Sequence, residues 1–306
     1  MQLVQVDDNV KLEVIDWGGI GSPVVFLAGL GDTAHVFDHF APKLISNHHV
    51  YGITRRGFGL SSVPTPIAEN YGADRLGDDV VMVIKALNLN RPVLVGHSLA
   101  GEELSSIGSR FPDKIAGLIY MDAGFAYAYY NIALGDLQID GNDLRKKVDS
   151  LTGVGPLARK PLVRSLLQES LPKLQKDLEN EQKALQKFPD IPPREAFRLM
   201  PVMKAIFEGE QRYTSIPCPI LAFFAVPHHF AGLEKDDPVA VAAVIARDRV
   251  DSALQANSFE AGVPSARIVR LTNADHYVFR SNEREVLSEI TDFLAKLTQN
   301  AHLAVP

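Results

Sequence analysis

The sequence predicts an α/β fold, namely a mainly parallel, doubly wound sheet that carries a helical cap insertion. Six short apolar runs, most of them bounded by Gly, Pro or Asn, fit strands that are buried on both faces of a parallel sheet. These runs are residues 24–27, 50–53, 93–95, 115–121, 220–226 and 268–271. Helical patterns alternate with them, for example at 76–87 and 99–110, and this alternation is typical of right-handed crossover connections.

The two ends of the chain carry other patterns. Residues 10–16 alternate apolar and polar side chains, and residues 2–6 do so less cleanly, which predicts an antiparallel hairpin with one solvated face. Near the C-terminus, an amphipathic pattern predicts a helix over 283–297. Asn282 precedes it, with Glu285 three residues later, so we expect these two side chains to cap the helix start.

The strand and helix alternation stops after the fourth apolar run and resumes before the fifth. We therefore expect residues 1–125 and 216–306 to form one core domain and residues 126–215 to form a helical cap. Within the cap, residues 162–188 are amphipathic, with leucines at helical spacing. Several prolines interrupt the region, which predicts several helices rather than one.

Composition limits the classes of partner. The chain has 306 residues, of which 46% are apolar and 22% charged, a profile typical of a globular protein with a sizeable core. Its 31 basic and 37 acidic residues give a formal charge of -6, so we expect no binding to nucleic acid or to an anionic membrane. No apolar stretch reaches the length of about 20 residues that a membrane-spanning helix needs. The expected partner is a small molecule, and the sequence does not predict the oligomeric state.

Cysteine use and the first residues bear on the compartment. Cys218, the single cysteine, cannot form an intramolecular disulfide, which favours a reducing environment. The first residues lack the basic region followed by an apolar region that marks a signal peptide. A cytoplasmic location is therefore expected, although the mature form of an exported protein would begin in the same way.

The strongest chemical signal surrounds Ser98. A predicted strand runs directly into this serine, and a predicted helix follows it. A nucleophile at such a junction lies on a sharp turn, which requires small residues two positions before and after it, and Gly96 and Ala100 meet this requirement. The turn also places the backbone N–H of Leu99 at a helix start, where it can donate to a developing oxyanion.

The segment from Gly96 to Gly101 resembles the nucleophile elbow of the α/β-hydrolase superfamily, and in particular of its soluble serine esterases, in which Gly-His-Ser precedes small residues. The resemblance covers about residues 3–125 and 216–298. It implies the α/β-hydrolase fold, with Ser98 as the nucleophile. The chain departs from the usual pattern at Ala100, where Gly is commoner.

Two further loops resemble those of the superfamily. After the first central strand comes Ala28-Gly29-Leu30-Gly31, and the resemblance implies that the backbone N–H of Leu30 is the second oxyanion donor. Many members have His-Gly where this chain has Ala28-Gly29. The loop lacks the later glycine of a dinucleotide-binding fingerprint. After the next strand, residues 54–61 resemble an Arg-Gly-x-Gly-x-Ser loop, for which we expect a structural role.

A serine nucleophile needs an adjacent base. His276 follows the last predicted strand and precedes the final helix, and this is where the superfamily places the base. We expect His228 and His229 to have no special role. His35 and His39 are four residues apart, but no third ligand has a spacing that supports a metal site, so we expect no metal.

The acid of the triad is the least determined member. Many relatives place it after the strand that follows the insertion, but no carboxylate occurs there before Glu234. Asp122 ends the strand that follows the nucleophile helix, and a subset of the superfamily uses that position. Both places lie at the carboxyl edge of the sheet, within reach of the imidazole. Asp122 is favoured, and Glu234, Asp236 and Asp237 remain open.

The resemblance implies a carboxylic ester, lactone or amide as substrate, with an acyl-enzyme intermediate and no cofactor. Three side chains near the triad are expected to contact substrate, namely His97, Phe125 and Tyr127. A serine at position 98 argues against the dehalogenase and epoxide hydrolase branches, which need an alkyl-ester intermediate. An acyltransferase, a carbon–carbon bond hydrolase and a slow-turnover ligand-binding receptor of the same fold remain open alternatives.

Overall fold

A computed structural model of the chain describes residues 1–188, 200–230 and 237–303. Its strands are β1 Gln2–Asp7, β2 Val10–Gly18, β3 Ser22–Leu27, β4 His48–Ile53, β5 Val93–His97, β6 Gly117–Met121, β7 Ile220–Ala225 and β8 Ala266–Leu271. They form one sheet in the order β1-β2-β4-β3-β5-β6-β7-β8. β2 pairs antiparallel with β1 and β4, and all other neighbours are parallel. The predicted fold class is confirmed.

The helices are α1 Ala68–Tyr71, α2 Ala73–Ala86, α3 Ala100–Arg110, α4 Leu137–Thr152, α5 Arg159–Ser165, α6 Leu171–Leu185, α7 Pro201–Glu208, α8 Pro238–Gly262, α9 Val278–Ser281 and α10 Glu283–Leu303. Apolar residues of α2, α3 and α8 pack on one face of the sheet. Those of α9 and α10 pack on the opposite face. Burial on both faces explains why the central strands consist of nearly continuous apolar runs. None of the described helices combines the length and the apolar character needed to cross a bilayer.

Helices α4 to α7 lie between β6 and β7, and the described residues of that region contain no strand. The amphipathic segment at 162–188 is divided, because a π-helical turn, Leu166–Ser170, separates α5 from α6. Leu166 is buried, whereas four other leucines of the stripe are exposed, namely Leu167, Leu171, Leu178 and Leu185. The periodicity therefore predicted helix correctly, although most of the stripe is exposed.

The end of α7 lies close to the core. The Gly209 carbonyl accepts a hydrogen bond from the Ala73 N–H at 3.3 Å. Gly72 and Gly209 make this approach possible, since a Cβ on Gly209 would lie 2.4 Å from the Gly72 Cα. The close contact fixes α7 above the carboxyl edge of the sheet.

The predicted side-chain cap at Asn282 is wrong. Helix α10 does begin at Glu283, and the Asn282 carbonyl accepts its first hydrogen bond, from the Val286 N–H at 3.0 Å. The Asn282 side chain does not complete a cap, because its Oδ1 is buried and contacts no donor among the described residues. The reason is that α9 ends at Ser281 and Asn282 is its C-cap, so the backbone of Asn282 is not extended as an N-cap requires.

Candidate active site

Ser98 occupies the turn between β5 and α3. Its φ is +53°, a left-handed conformation that is costly for a residue with a side chain. A Cβ on Gly96 would lie 2.8 Å from the Leu104 Cδ1 and 3.1 Å from the Ala100 Cβ, so the turn leaves room only for glycine at that position. The small residues around Ser98 are thus required by the packing of the turn.

The sheet register brings Ser98 close to Asp122. β5 and β6 are paired so that His97 lies opposite Met121, and the next residue of each strand leaves the sheet at the same level. The Ser98 N–H donates to the Met121 carbonyl at 3.2 Å. Asp122 also has a left-handed backbone, with φ +50°, which aspartate adopts more readily than most residues.

His276 joins these two residues. Its Nε2 lies 2.8 Å from the Ser98 Oγ, and its Nδ1 lies 2.7 Å from the Asp122 Oδ2. Because a carboxylate only accepts hydrogen bonds, Nδ1 carries the proton in the neutral ring and Nε2 is left to accept from the serine hydroxyl. The structure therefore brings together Ser98, His276 and Asp122 in the geometry of a nucleophile, a base and an orienting acid.

The Asp122 carboxylate is 1% exposed and fully engaged. Its Oδ1 accepts from the Ala225 N–H at 3.0 Å, and its Oδ2 accepts from both His276 and His228. Burial works to raise the pKa of Asp122, but the hydrogen bonds from the two histidines and their charges outweigh it and hold this pKa below its ordinary value. The group is therefore a carboxylate at neutral pH.

The other candidate acids are placed differently or fall outside the described residues. Asp237 is exposed and caps α8, where its Oδ1 accepts from the Val239 N–H at 3.0 Å. The structure does not bring Asp237 to His276. Glu234 and Asp236 lie outside the described residues.

The two predicted oxyanion donors lie in loops that meet at Ser98. Neither the Leu30 N–H nor the Leu99 N–H donates to any described residue. A Cβ on Gly29 would lie 3.1 Å from the Ser98 Cβ and 2.9 Å from the His97 Nδ1. Glycine at position 29 thus lets the loop pass directly over the nucleophile.

Arg55 supports this loop, a role that the sequence did not reveal. Its Nη2 donates to the Ala28 carbonyl at 3.1 Å, and its Nη1 donates to the Gly29 carbonyl at 3.3 Å. Its Nε donates to Glu103 in the first turn of α3. We expected a structural role for the Arg-Gly loop, and the contacts connect that loop to both oxyanion segments.

His97 is 1% exposed and lies behind His276 rather than beside a surface that a substrate could reach. Its Nε2–H donates to the His276 carbonyl at 3.0 Å, and the two rings lie 4.6 Å apart. Burial, with the nearby charge of His276, lowers the pKa of His97 to about 3. The ring is therefore neutral and holds the backbone of His276.

Phe125 and Tyr127 follow Asp122 and are half-buried, with their rings 5.8 Å apart. Burial raises the pKa of Tyr127 well above its usual value, the nearby carboxyls of Asp122, Glu102 and Glu210 add to this, and the Ser98 hydroxyl opposes it. Tyr127 therefore lies beside the nucleophile. It also belongs to an apolar cluster in which α7 packs against the oxyanion residues. We call this the α7 cluster, and it consists of Leu30, Phe58, Tyr71, Leu76, Leu99, Tyr127, Val202, Met203, Ala205, Ile206 and Phe207.

His228 contacts the Asp122 carboxylate, which was not predicted from the sequence. It follows β7, where many relatives are expected to carry their acid, and we expected no special role for it. Its Nε2 lies 2.6 Å from the Asp122 Oδ2, and its Nδ1 lies 2.8 Å from the Asp248 Oδ1 on α8. Burial alone would lower the pKa of His228, but the two carboxylates raise it to about 9.

Within the described residues, Asp122, His228 and His276 bring three potential metal-ligand atoms within 4.8 Å of one another. The separations of 2.6 and 2.7 Å inside this group are those of charge-assisted hydrogen bonds. An ion with bonds of about 2.0–2.2 Å to each atom would hold the same atoms farther apart. The arrangement therefore fits a hydrogen-bond network better than a ligand set.

Known proteins resemble this chain in sequence and in fold. The profile of the family described as "Alpha/beta hydrolase family" matches residues 24–289. One curated relative is the 2-(acetamidomethylene)succinate hydrolase of Mesorhizobium japonicum, 27% identical over 34% of this chain and 36% of that protein. Another is the fluoroacetate dehalogenase of a Burkholderia species, 29% identical over 40% of each chain. The chain spans about a third to a half of the length of the curated relatives it matches.

Solved structures extend the likeness in fold to almost the whole chain. A thermophilic esterase from Thermogutta terrifontis superposes with a TM-score of 0.59, covering 97% of this chain and 99% of that one. The sequence identity is 18%, so this likeness concerns the fold alone.

Proposed function

Because the chain belongs to the alpha/beta hydrolase family, we propose that it is a serine hydrolase of the carboxylesterase kind. Its substrate is a small molecule with a carboxylic ester, or a related lactone or amide, and the reaction proceeds through an acyl-enzyme. One observation carries this proposal. The Ser98 Oγ is 2.8 Å from an imidazole nitrogen of His276, whose other nitrogen contacts the buried Asp122 carboxylate.

The reaction follows from these contacts. His276 Nε2 accepts the proton of Ser98 as the Oγ attacks the substrate carbonyl, and the Asp122 carboxylate stabilises the imidazolium that forms. The proton then passes to the leaving group. In the second half, His276 accepts a proton from water, which attacks the acyl-enzyme and releases Ser98.

The oxyanion of each tetrahedral intermediate would be held by the N–H groups of Leu30 and Leu99, which have no other acceptor among the described residues. Two preorganised donors matter because the loss of one typically costs about 10² to 10³ in kcat. Arg55 keeps the first of these segments in place through the carbonyls of Ala28 and Gly29.

The identity of the nucleophile separates this proposal from the alkyl-enzyme chemistry of dehalogenases. A fluoroacetate dehalogenase is among the relatives. Displacement at an alkyl carbon through an ester intermediate needs a carboxylate nucleophile, whereas this chain has a serine at position 98 and its Asp122 carboxylate contacts His276. Acyl transfer to water therefore fits these groups better than displacement at carbon.

We also propose that residues 126–215 act as a cap that sets substrate preference. The α7 cluster packs against both oxyanion residues, so the group that enters next to Ser98 meets an apolar wall. Met203 illustrates this, because its Cε would lie 3.4 Å from a Cβ on Gly31 of the oxyanion loop. An apolar acyl or alcohol group of a small ester suits such a wall.

The test replaces Ser98 with alanine. S98A should lose about 10⁶-fold in kcat on a short-chain aryl ester and should no longer be labelled by a fluorophosphonate in intact-protein mass spectrometry. S109A is the matched control, because Ser109 lies on α3 and donates to the Ser215 carbonyl away from the triad. Retained hydrolysis or labelling in S98A would refute the proposal. A stoichiometric burst without steady-state turnover in the wild type would indicate a ligand-binding protein instead.

A further inference from the structure

His228 lies between two carboxylates and contacts both at hydrogen-bond distance. Its Nε2 faces Asp122 at 2.6 Å, and its Nδ1 faces Asp248 at 2.8 Å. The second oxygen of Asp248 accepts from the His228 backbone N–H, also at 2.8 Å. Asp248 therefore contacts both the backbone and the ring of His228. The side chain of His228 is 11% exposed and that of Asp248 is 17% exposed.

These contacts determine the charge of the ring. A carboxylate offers only acceptors, so each ring nitrogen that faces one must carry a hydrogen. A neutral imidazole has a single N–H and would leave one of the two pairs as facing acceptors. The geometry therefore requires His228 to be an imidazolium unless one of the two aspartates is protonated.

We propose that His228, fixed by Asp248, is a positioning residue that keeps Asp122 ionised and directed at His276. The inference rests on the proposed role of Ser98, His276 and Asp122 in catalysis. It extends the triad by two residues, His228 in the segment after β7 and Asp248 on α8, and the contacts run in the order Asp248, His228, Asp122, His276.

Two consequences follow for the triad. The first concerns orientation, because Asp122 Oδ2 is held from two sides by His228 and His276 while Oδ1 is held by the Ala225 N–H.

The second concerns charge. In the described part of the chain, the charged or titratable groups that contact His228 or lie beside its ring are Asp122, Asp248 and His276, and the rings of His228 and His276 are 6.0 Å apart. A fixed positive charge at that distance disfavours a second positive charge on the neighbouring ring.

The pH profile of kcat/KM tests this pair of effects. H228Q removes the charge and one of the two hydrogen bonds, so the acid limb should move up by about one pH unit. The plateau kcat should fall about tenfold through the looser Asp122, with little change in KM. H229Q is the matched control, since the adjacent His229 contacts Ala274 only through its backbone N–H in the described structure, and it should keep the wild-type profile. A wild-type profile in H228Q would overturn the proposal.

Asp248 offers a second route in case H228Q fails to fold. D248N keeps the shape of the side chain but removes the charge that stabilises the imidazolium, so its acid limb should move in the same direction by a smaller amount. D248E should restore the wild-type profile. An unchanged profile in D248N, or no rescue in D248E, would contradict the proposed role of Asp248.

The wild type itself provides the decisive measurement. Ring ¹⁵N NMR at pH 7.5 should find both nitrogens of His228 protonated. A neutral His228 ring would overturn the proposal whatever the kinetics show. This readout needs no substrate, so it also separates a failure of this inference from a failure of the proposed hydrolase activity, which S98A tests.

Discussion

Two buried carboxyl groups differ in their hydrogen-bond partners. Asp122 is connected to Ser98 through His276, and Glu102 lies four residues after Ser98 in the chain. Asp122 is 1% exposed, and its oxygens accept hydrogen bonds from the Ala225 N–H, His228 and His276. Glu102, in the first turn of α3, is 0% exposed, and neither of its oxygens contacts a donor in the part of the chain that is described.

Their ionisation differs accordingly. The two histidines hold the pKa of Asp122 below its ordinary value despite burial. Burial raises the pKa of Glu102 well above its ordinary value, and the charge of Arg55 does not compensate. Only an ionised acid can stabilise an imidazolium. The hydrogen-bond donors around a carboxyl group, rather than its burial or its proximity to Ser98 in the sequence, therefore decide which carboxyl group serves the triad.

D122N should have the largest effect on activity of the substitutions that separate Asp122 from Glu102. An amide has the shape of the carboxylate but lacks its charge and presents an N–H towards two histidines that must themselves donate. We expect kcat to fall by about 10⁴-fold in steady-state ester hydrolysis, the loss typical when the acid of such a triad is replaced by its amide.

A loss in D122N of less than about tenfold would move the acid elsewhere. The same assay on D236N and E234Q would then be decisive. D237N serves as the control, because Asp237 caps α8 away from the triad and should affect activity by less than about threefold, and the asparagine Oδ1 can still accept from the Val239 N–H.

The sequence predicted the parts of the site that local rules determine. Gly96 and Ala100 mark the elbow because the turn around Ser98 has no room for larger side chains. Asp122 was favoured from its place at the end of a strand, although it lies 154 residues from His276 in the chain.

The sequence did not predict the parts that depend on how distant elements pack. The role of His228 depends on Asp248, which belongs to a 25-residue helix whose charged residues resemble an ordinary solvated face. The support of the oxyanion loop by Arg55 depends on Glu103 in another helix. The predicted cap at Asn282 was wrong for a related reason, because a short preceding helix ends there and determines the backbone.

Replacement of Glu102, the other buried carboxyl group, should have only a small effect on activity. Since burial favours the neutral form of Glu102 in the folded protein, E102Q replaces that form by a neutral group of similar shape. We expect kcat at pH 7 to stay within about threefold of the wild type and the midpoint of thermal unfolding to change by only a few degrees. Parallel assays of E102Q and D122N check this. If E102Q lost activity on the scale of D122N, the distinction between the two carboxyl groups would fail.

The smallest expected effect concerns stability rather than catalysis, and it uses Glu210, a buried acid beside α7. Burial, with the nearby charge of Asp136, raises the pKa of Glu210 from its ordinary value of 4.5 to about 8. The folded state therefore holds this proton more tightly than the unfolded state does. Its contribution to stability is complete below pH 4.5 and is lost as the pH rises through 8.

E210Q should remove that slope, which is at most about 1.4 kcal/mol per pH unit. Urea unfolding between pH 5 and 6.5 measures it as the difference between the slopes of the wild type and E210Q, because the lowered pKa of His97 adds a slope of opposite sign to both proteins in this window. His228 begins to contribute only above its ordinary pKa of 6.5. E208Q controls for the loss of one negative charge, because Glu208 is a half-buried neighbour that pairs with Arg145. Parallel curves for the wild type and E210Q would show that Glu210 has an ordinary pKa. Burial would then not raise the pKa of this carboxyl group of the cap as it raises that of Glu102.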